Sequence, residues 1–252
     1  MHTTATMNVT HFEFQTLTPA AAKAGSSARD FSVFCPGFDR SKALGVVSPH
    51  LDDGVLDAAY AVLAFVTHFY EHATLPKTDC LYAQYFAFFP NIPGAGGLPT
   101  RHGTLSDPLQ VLDATWGFLD IWPKTQWIFS AGHPADYLEQ AMDRSVSYLL
   151  WPSNLRAVGQ ELPATLRRRL LNQLSNVFLF ADPAPTYSIV VAQPVEDMAL
   201  RCINALPCYE SGALEALVAA RHRLRKNSAG AYTETYRRLT SREFIEYLAG
   251  NA

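Results

Sequence analysis

The chain contains the stretch Ala43-Leu-Gly-Val-Val-Ser-Pro-His-Leu-Asp-Asp-Gly-Val-Leu56, in which an apolar strand-like run ends in a histidine and two aspartates. An apolar helix-like run follows directly. In an open α/β sheet, such a strand end opens into the crevice where ligands bind. His50, Asp52 and Asp53 are the residue types that hold a divalent metal ion and deprotonate a water bound to it. The stretch therefore predicts a chemical site at the carboxyl end of a buried strand.

Strand and helix patterns alternate along the rest of the chain. Apolar runs predict strands at 43–48, 79–89, 126–129, 176–180 and 187–191, and helical spacing predicts helices at 53–71, 107–119, 135–150 and 162–174. The Gly/Pro-rich segment 91–99 is expected to be a loop, and the tail from 195 to be mostly helical with breaks near Pro207 and Gly230. This alternation predicts a layered α/β fold with a mainly parallel sheet.

The sequence shows no internal repeat and no clear linker, which favours one α/β domain over 39–252. The Thr/Ala-rich segment 1–38 is expected to be a partly irregular N-terminal extension. It has no basic start followed by an apolar core, so no secretion signal is expected.

Composition and charge exclude several classes of protein. The 252 residues are 48% apolar and carry a net charge of −3, which argues against a general nucleic-acid binder. The basic cluster at 221–226 is interpreted as a solvated helix end. No apolar stretch approaches the ~20 residues that span a bilayer. The four cysteines lack metal-ligand or disulfide spacing, so we expect reduced thiols in a cytoplasmic protein.

A second strand-to-helix turn, Gly132-His-Pro-Ala-Asp136, carries further candidates. Parallel strands present their carboxyl ends on one edge of a sheet, so this turn and the first can meet. Together they offer His50, Asp53 and a residue of the second turn as three metal ligands. Asp52 is then the general base, and His133 polarises a substrate carbonyl or protonates the leaving amine.

Structural roles are the alternative explanation for some of these residues. Asp52 or Asp53 could cap the helix that follows them. A Gly-His-Pro turn around His133 is commonly structural, and Asp136 in a first helical turn is a favourable partner of the helix dipole whatever its chemistry.

The stretch Val46–Leu56 resembles the signature of the PIG-L/LmbE-like family of metal-dependent N-deacetylases, a strand followed by [AP]-H-[PL]-D-D. The resemblance implies a Rossmann-like α/β three-layer sandwich and the hydrolysis of acetamides on amino sugars and their conjugates. It also implies that His50 and Asp53 are zinc ligands and that Asp52 is the base. The family's second motif, H-P-D-H, aligns without a gap on 133–136.

Weaker similarity continues towards the end of the chain. Residues 205–211 resemble the family's A-x-x-x-Y-x-S-Q segment, with Gly212 where Gln is usual, and Thr233-Glu-Thr-Tyr-Arg237 resembles its A-E-x-[FY]-x stretch.

The second motif departs from the family, since Asp136 stands where the third zinc ligand is a histidine and Ala135 replaces an aspartate. The expected ligands are therefore His50, Asp53 and Asp136. Two carboxylates neutralise the ion and make its bound water less acidic. Zn²⁺ is the ion implied by the resemblance, while the harder ligands also admit Mn²⁺, Mg²⁺ or Fe²⁺.

Other side chains could complete the metal shell or contact substrate. Tyr137, His102 and His68 are the alternatives to Asp136 as ligands. His102 and its neighbour Arg101 lie in a Gly-rich loop expected to overhang the site. We expect Arg101, His102 and Tyr137 to bind substrate.

The sequence thus favours a metal-dependent amide hydrolase whose partner is a small amine-bearing metabolite or an amino sugar conjugate. The alternative is a degenerate member of the family that binds without hydrolysis or catalyses another acyl or condensation step in biosynthesis. The identity of the substrate, and whether the chain forms a homo-oligomer, are left open.

Overall fold

The computed structural model describes residues 11–17, 27–48, 53–70, 85–90, 98–100, 103–105, 125–130, 134–155, 162–204 and 211–250. The strands are β1 (Phe12–Thr16), β2 (Ser27–Ala28), β3 (Ala43–Val47), β4 (Tyr85–Pro90), β5 (Leu98–Thr100), β6 (Gly103–Leu105), β7 (Thr125–Ser130), β8 (Val146–Pro152), β9 (Asn176–Phe180), β10 (Tyr187–Val191) and β11 (Tyr232–Leu239). The helices are α1 (Phe31–Phe34), α2 (Asp53–Asp57), α3 (Ala59–Tyr70), α4 (Pro134–Asp143), α5 (Ala164–Gln173), α6 (Gln193–Asn204), α7 (Ser211–Arg225) and α8 (Ser241–Leu248).

Within the described residues, one sheet of nine strands runs in the order β2-β1-β10-β11-β9-β8-β3-β4-β7. The five strands from β9 to β7 are parallel, whereas β1, β10 and β11 pair antiparallel at the other side. β5 and β6 form a separate antiparallel pair. The fold is therefore α/β as predicted, with the parallel strands in the part of the sheet that contains β3.

β3 is buried on both faces because its alternate side chains enter two separate cores. Leu44 and Val46 belong to one apolar cluster, and Ala43 and Val47 to the other. Successive side chains of a strand point to opposite faces, so β3 is the middle of a three-layer arrangement. Its uninterrupted apolar run follows from this position.

Helices cover both faces of the sheet. The first cluster contains α1, α3 and α6, and the second contains α4, α5 and α8. The centre of the first cluster is aromatic: the ring of Phe65 in α3 lies 5.1 Å from Phe31, 5.6 Å from Tyr148 and 5.7 Å from Phe178, between ring centroids. Among the described residues, no helix has both the length and the apolar character needed to cross a bilayer.

Described parts of the predicted N-terminal extension belong to the same sheet and core. β1 pairs with β10 along its whole length, and the side chains of Phe12 and Phe14 are fully buried. Phe34 in α1 stacks on Phe178 of β9 with 4.4 Å between ring centroids. The proposed division at residue 38 is thus not marked by a separation of packing, and its place stays a prediction.

The helix predicted at 135–150 is wrong in its second half. α4 ends at Asp143, Ser145 adopts a left-handed φ of 56°, and 146–152 form the buried strand β8. A continuous apolar run carries no period, so periodicity cannot separate a buried strand from a buried helix. The aromatic and β-branched residues of the run favour the strand.

Three further predictions on element type needed correction. The tail contains a strand besides its helices, since β11 follows the predicted break at Gly230, which has a positive φ. The helix predicted at 53–71 is divided into α2 and α3 at Ala58, and the end of the loop predicted at 91–99 forms β5. The helix predicted at 107–119 lies outside the described residues.

We expect the substitution Phe34→Ala to lower the free energy of unfolding by about 3–5 kcal/mol, because it removes a buried ring and leaves a cavity between α1 and β9. Chemical denaturation followed by circular dichroism measures this change. Leu171→Ala, at a side chain that is 47% exposed, is the control and should change stability by less than about 0.5 kcal/mol. An equal effect of the two substitutions would contradict the placement of α1 in the core.

Candidate metal centre

The connection from β3 to α2 presents a buried carboxylate at the edge of the sheet. Asp53 is the first residue of α2 and is 4% exposed. The backbone amide of Gly54 donates a hydrogen bond of 2.7 Å to the hydroxyl of Ser48, the residue after β3. This bond fixes the amino end of α2 against the end of the strand. His50 and Asp52, between these two points, lie outside the described residues.

Gly54 allows α2 to approach the strand closely. A Cβ atom at this position would lie 3.2 Å from the Ser48 hydroxyl oxygen and 3.4 Å from a methyl group of Val46. The first of these distances is shorter than normal contact, so a larger residue would push Ser48 or the helix away. The glycine therefore helps to set where the Asp53 carboxylate lies.

The strand before the second predicted turn ends at the same edge of the sheet. β7 ends at Ser130 and α4 begins at Pro134, which places Asp136 in the first turn of α4 with an exposed side chain. β4 lies between β3 and β7, and all three are parallel. Neighbouring strands are about 4.8 Å apart, so the ends of β3 and β7 are roughly 10 Å apart. Asp53 and Asp136 thus follow strands that end on one edge.

Tyr137 points away from solvent. It is 3% exposed and packs in the second apolar cluster with Leu138, Ala141 and Met142. Its predicted contact with substrate stays a prediction. The other predicted site residues, Arg101, His102 and His133, lie outside the described residues. Within the described residues alone, no group of three or more histidine, cysteine, aspartate or glutamate side chains is close enough to hold an ion.

His68, one of the alternatives for the metal shell, is in the aromatic core instead. Its ring stacks on Phe31 with 4.1 Å between centroids, and its Nδ1 atom lies 2.8 Å from the carbonyl oxygen of Ala64. It is nine residues after Ala59, the first residue of α3, so about 14 Å of helix separates it from the start of α3. These contacts assign it to the packing of α1 on α3.

A buried ionic network, which was not predicted from the sequence, packs against α2. Arg221 in α7 is only 2% exposed, which corrects the interpretation of 221–226 as a wholly solvated helix end. Its Nε atom donates to Glu196 of α6 at 2.9 Å, and its Nη2 atom donates to Glu234 of β11 at 3.1 Å. The remaining guanidinium nitrogen, Nη1, donates to the carbonyl oxygen of Leu56 in α2 at 2.8 Å.

Two buried tyrosines complete this network. The hydroxyl of Tyr60 donates to Glu196, and that of Tyr236 donates to Glu234 at 2.5 Å. Burial and the nearby carboxylate of Glu234 raise the pKa of both tyrosines, so both stay protonated and donate. Burial alone would lower the pKa of Arg221, but the two glutamates outweigh it and raise the pKa, so the guanidinium stays charged.

The only sequence signal for this network was the weak family resemblance at 233–237. Glu234 and Tyr236 occupy the acidic and aromatic positions of the A-E-x-[FY]-x pattern. The pattern does not indicate that these residues reach α2, because their partners come from distant parts of the chain.

We expect Ser48→Ala to lower the free energy of unfolding by about 1–2 kcal/mol, because it leaves the buried amide of Gly54 without its acceptor at a helix start. Thermal unfolding at fixed pH measures the loss. Ser175→Ala, at an exposed serine outside the site, serves as the control. Unchanged stability of Ser48→Ala would show that the hydroxyl does not fix α2.

No protein-family model matches this sequence, and no curated protein matches it significantly. Among solved structures, the chain is similar to the N,N'-diacetylchitobiose deacetylase from Pyrococcus horikoshii, with a TM-score of 0.56 and 12% identity over 82% of this chain and 86% of that one. The zinc-inhibited form of teicoplanin deacetylase Orf2 matches with a TM-score of 0.47 and 10% identity over 79% of this chain and 98% of that one. The 4-carboxy-2-hydroxymuconate hydratase GalB from Pseudomonas putida KT2440 matches with a TM-score of 0.44 and 14% identity over 79% of this chain and 96% of that one.

At these identities the likeness to the solved structures concerns the fold alone. The predicted resemblance to LmbE/PIG-L-type deacetylases is confirmed at that level. The chain has the Rossmann-like α/β fold on which those deacetylases are built.

Proposed function

We propose that this protein is a metal-dependent amide hydrolase that deacylates a small amine-bearing metabolite or an amino sugar conjugate. The observation that carries the proposal is the position of Asp53, a nearly fully buried carboxylate in the first helical turn after a central parallel strand. Ligand sites of open α/β sheets lie at this edge.

The donor chemistry at this edge fits a divalent ion. A carboxylate that is withdrawn from water is stable when it is paired or coordinates a metal. His50 is three residues before Asp53 in the sequence, and Asp136 follows a strand that ends on the same edge. Imidazole and carboxylate ligands suit Zn²⁺, and a second carboxylate also suits Mn²⁺, Mg²⁺ or Fe²⁺. We propose that His50, Asp53 and Asp136 hold the ion.

Asp52 and His133 are the proposed proton-transfer residues. A bound divalent ion would supply polarisation of the amide carbonyl and a more acidic water. Asp52 accepts a proton from the water as its oxygen adds to the carbonyl carbon. His133 stabilises the developing oxyanion or protonates the nitrogen as the C–N bond breaks, so the amine leaves neutral. Arg101, His102 and Tyr137 are the proposed substrate contacts.

The reaction class is supported by the likeness to the diacetylchitobiose deacetylase, which matches with a TM-score of 0.56. The acyl group and the amine of the substrate are not specified by that likeness. We propose a small molecule rather than nucleic acid as the partner, in keeping with the net charge of −3.

Asp136 is the observation that favours a second candidate. Its side chain is exposed and lies in the first turn of α4, where a carboxylate is favourable for the helix dipole without any metal. If Asp136 has only this role, two ligands remain, and the protein binds its small molecule without hydrolysis or catalyses another acyl or condensation step.

Metal content separates binding of the ion from catalysis. We expect purified wild-type protein to carry near-stoichiometric divalent metal, Asp53→Asn to lose it, and Asp52→Asn to keep it while losing turnover of acetamido sugars. Elemental analysis and an acetate-release assay measure the two properties. Asp143→Asn, at an exposed aspartate of α4, is the control. Wild-type protein without metal under metal-replete conditions would overturn the proposed function, and full activity of Asp52→Asn would remove Asp52 from the mechanism.

Replacing Asp136 by histidine tests the second candidate. An imidazole at this position removes one negative charge from the ligand set, so the bound water should become more acidic and Zn²⁺ should be preferred. We expect Asp136→His to increase deacetylase activity with Zn²⁺ by about tenfold, in line with roughly one pKa unit of the water. Unchanged metal affinity and unchanged activity would show that Asp136 does not touch the ion.

A further inference from the structure

The helix that begins at Asp53 is interrupted after five residues, and side chains from elsewhere bind the backbone groups at the interruption. The amide of Tyr60 donates to Oε2 of Glu234 at 2.9 Å, and the amide of Ala61 donates to the hydroxyl of Tyr236 at 3.1 Å. On the other side of the break, the carbonyl oxygen of Leu56 accepts from Arg221 at 2.8 Å.

In a continuous α-helix, the amide of Tyr60 and the carbonyl of Leu56 would bind each other, since they are four residues apart. Here Glu234 accepts from the amide of Tyr60 and Arg221 donates to the carbonyl of Leu56, so the ion pair takes the place of that helical hydrogen bond. A helix of five residues is far below the length that is stable by itself. The direction of α2 is therefore set by the groups that bind its ends.

Both ends of α2 are held in this way. At the amino end, the amide of Gly54 is bound to Ser48, which continues from β3. At the carboxyl end, Arg221 and Arg225 both donate to the carbonyl oxygen of Leu56, and Arg225 also approaches Asp57 at 3.6 Å. Cations at a helix carboxyl end are favourable for the helix dipole.

The network is a costly way to stabilise a fold. Glu196, Glu234 and Arg221 are each less than 5% exposed, and buried ion pairs of this kind are often no better for stability than apolar residues of the same volume. What the pair provides is directional bonding to two defined backbone groups. That is the requirement for holding a short helix, and the carboxylate at its start, in one place.

We propose that Arg221 and Glu234 are positioning residues for Asp53, holding α2 at the angle at which the Asp53 carboxylate can ligate a divalent ion. This inference rests on the proposed function, because it assumes that Asp53 binds metal. Neither residue touches the ion, and both act through the backbone of α2.

The test compares Co²⁺ binding by the full chain and by the variants Arg221→Met and Glu234→Gln. Residues that orient metal ligands typically change metal affinity 10–100-fold when they are replaced. We expect both variants to bind Co²⁺ at least tenfold more weakly and to alter the visible absorption of the bound ion, which reports its coordination geometry. Tyr236→Phe removes one hydroxyl from the same network and should give a smaller change in the same direction.

Arg238→Met is the matched control, because it removes another arginine that binds backbone. Arg238 donates to the carbonyl oxygens of Val33 and Phe34, both at 2.9 Å, and within the described residues it makes no hydrogen bond to α2. We expect Arg238→Met to lower the melting temperature and to leave Co²⁺ affinity within about twofold.

The outcomes separate this inference from the proposed function. Wild-type protein that binds no Co²⁺ overturns both. If wild-type protein binds Co²⁺ and the folded variants show the same affinity and the same spectrum, the inference alone is overturned. If Arg221→Met does not fold, Glu234→Gln and Tyr236→Phe decide the question, since both are nearly isosteric. Partial recovery of Co²⁺ affinity in Arg221→Lys, which keeps the charge but loses the planar fork, further supports positioning.

Discussion

Burial of β3 on both faces is the constraint from which the rest of the site follows. The strand lies within the parallel part of the sheet, between β8 and β4, with an apolar core on each side. Polar side chains cannot be placed along such a strand, so the histidine and aspartates that follow it in the sequence are confined to the region beyond its end. Asp53 meets this condition, being the first helical residue after the strand. The fold itself thereby separates the candidate metal ligands from the apolar side chains of the strand.

The same packing explains which elements could be predicted from the sequence. The strands β3, β9 and β10 were identifiable because each is a short apolar run bounded by turn residues, and their observed limits agree with the prediction to within a residue. β8 is also a short apolar run, but it follows α4 after a turn of only two residues. Neither of them is Gly or Pro, so no turn signal marks the boundary between the two elements in the sequence. β11 was missed because its core-facing positions include a glutamate and two tyrosines. Glu234 and Tyr236 belong to the network behind α2, whereas the hydroxyl of Tyr232 donates to the side chain of Gln193.

The candidate site divides in a similar way. Residue type and spacing predicted two turns with candidate ligands, and the parallel pairing of β3, β4 and β7 confirms that the strands before them end on one edge of the sheet. The roles of the site residues stay predictions. The role of Arg221 could not be obtained in this way. A cluster of basic residues on a helix normally indicates a solvated face, and the exception depends on Glu196 and Glu234, which come from α6 and β11. Only the tertiary structure brings the three together.

The position of β7 has a consequence for how this scaffold can diversify. In the described sheet β7 has one neighbour, β4, whereas β3 has two. A substitution at the end of β3 or at the start of α2 must suit the packing of both flanking strands and the hydrogen bond between Ser48 and Gly54. β7 lies at the rim of the described sheet and has fewer neighbours, so a residue that follows it, such as the proposed ligand Asp136, can be replaced at lower cost to the core. Drift of ligand chemistry within this architecture should therefore begin at the rim, while the central turn keeps its original residues.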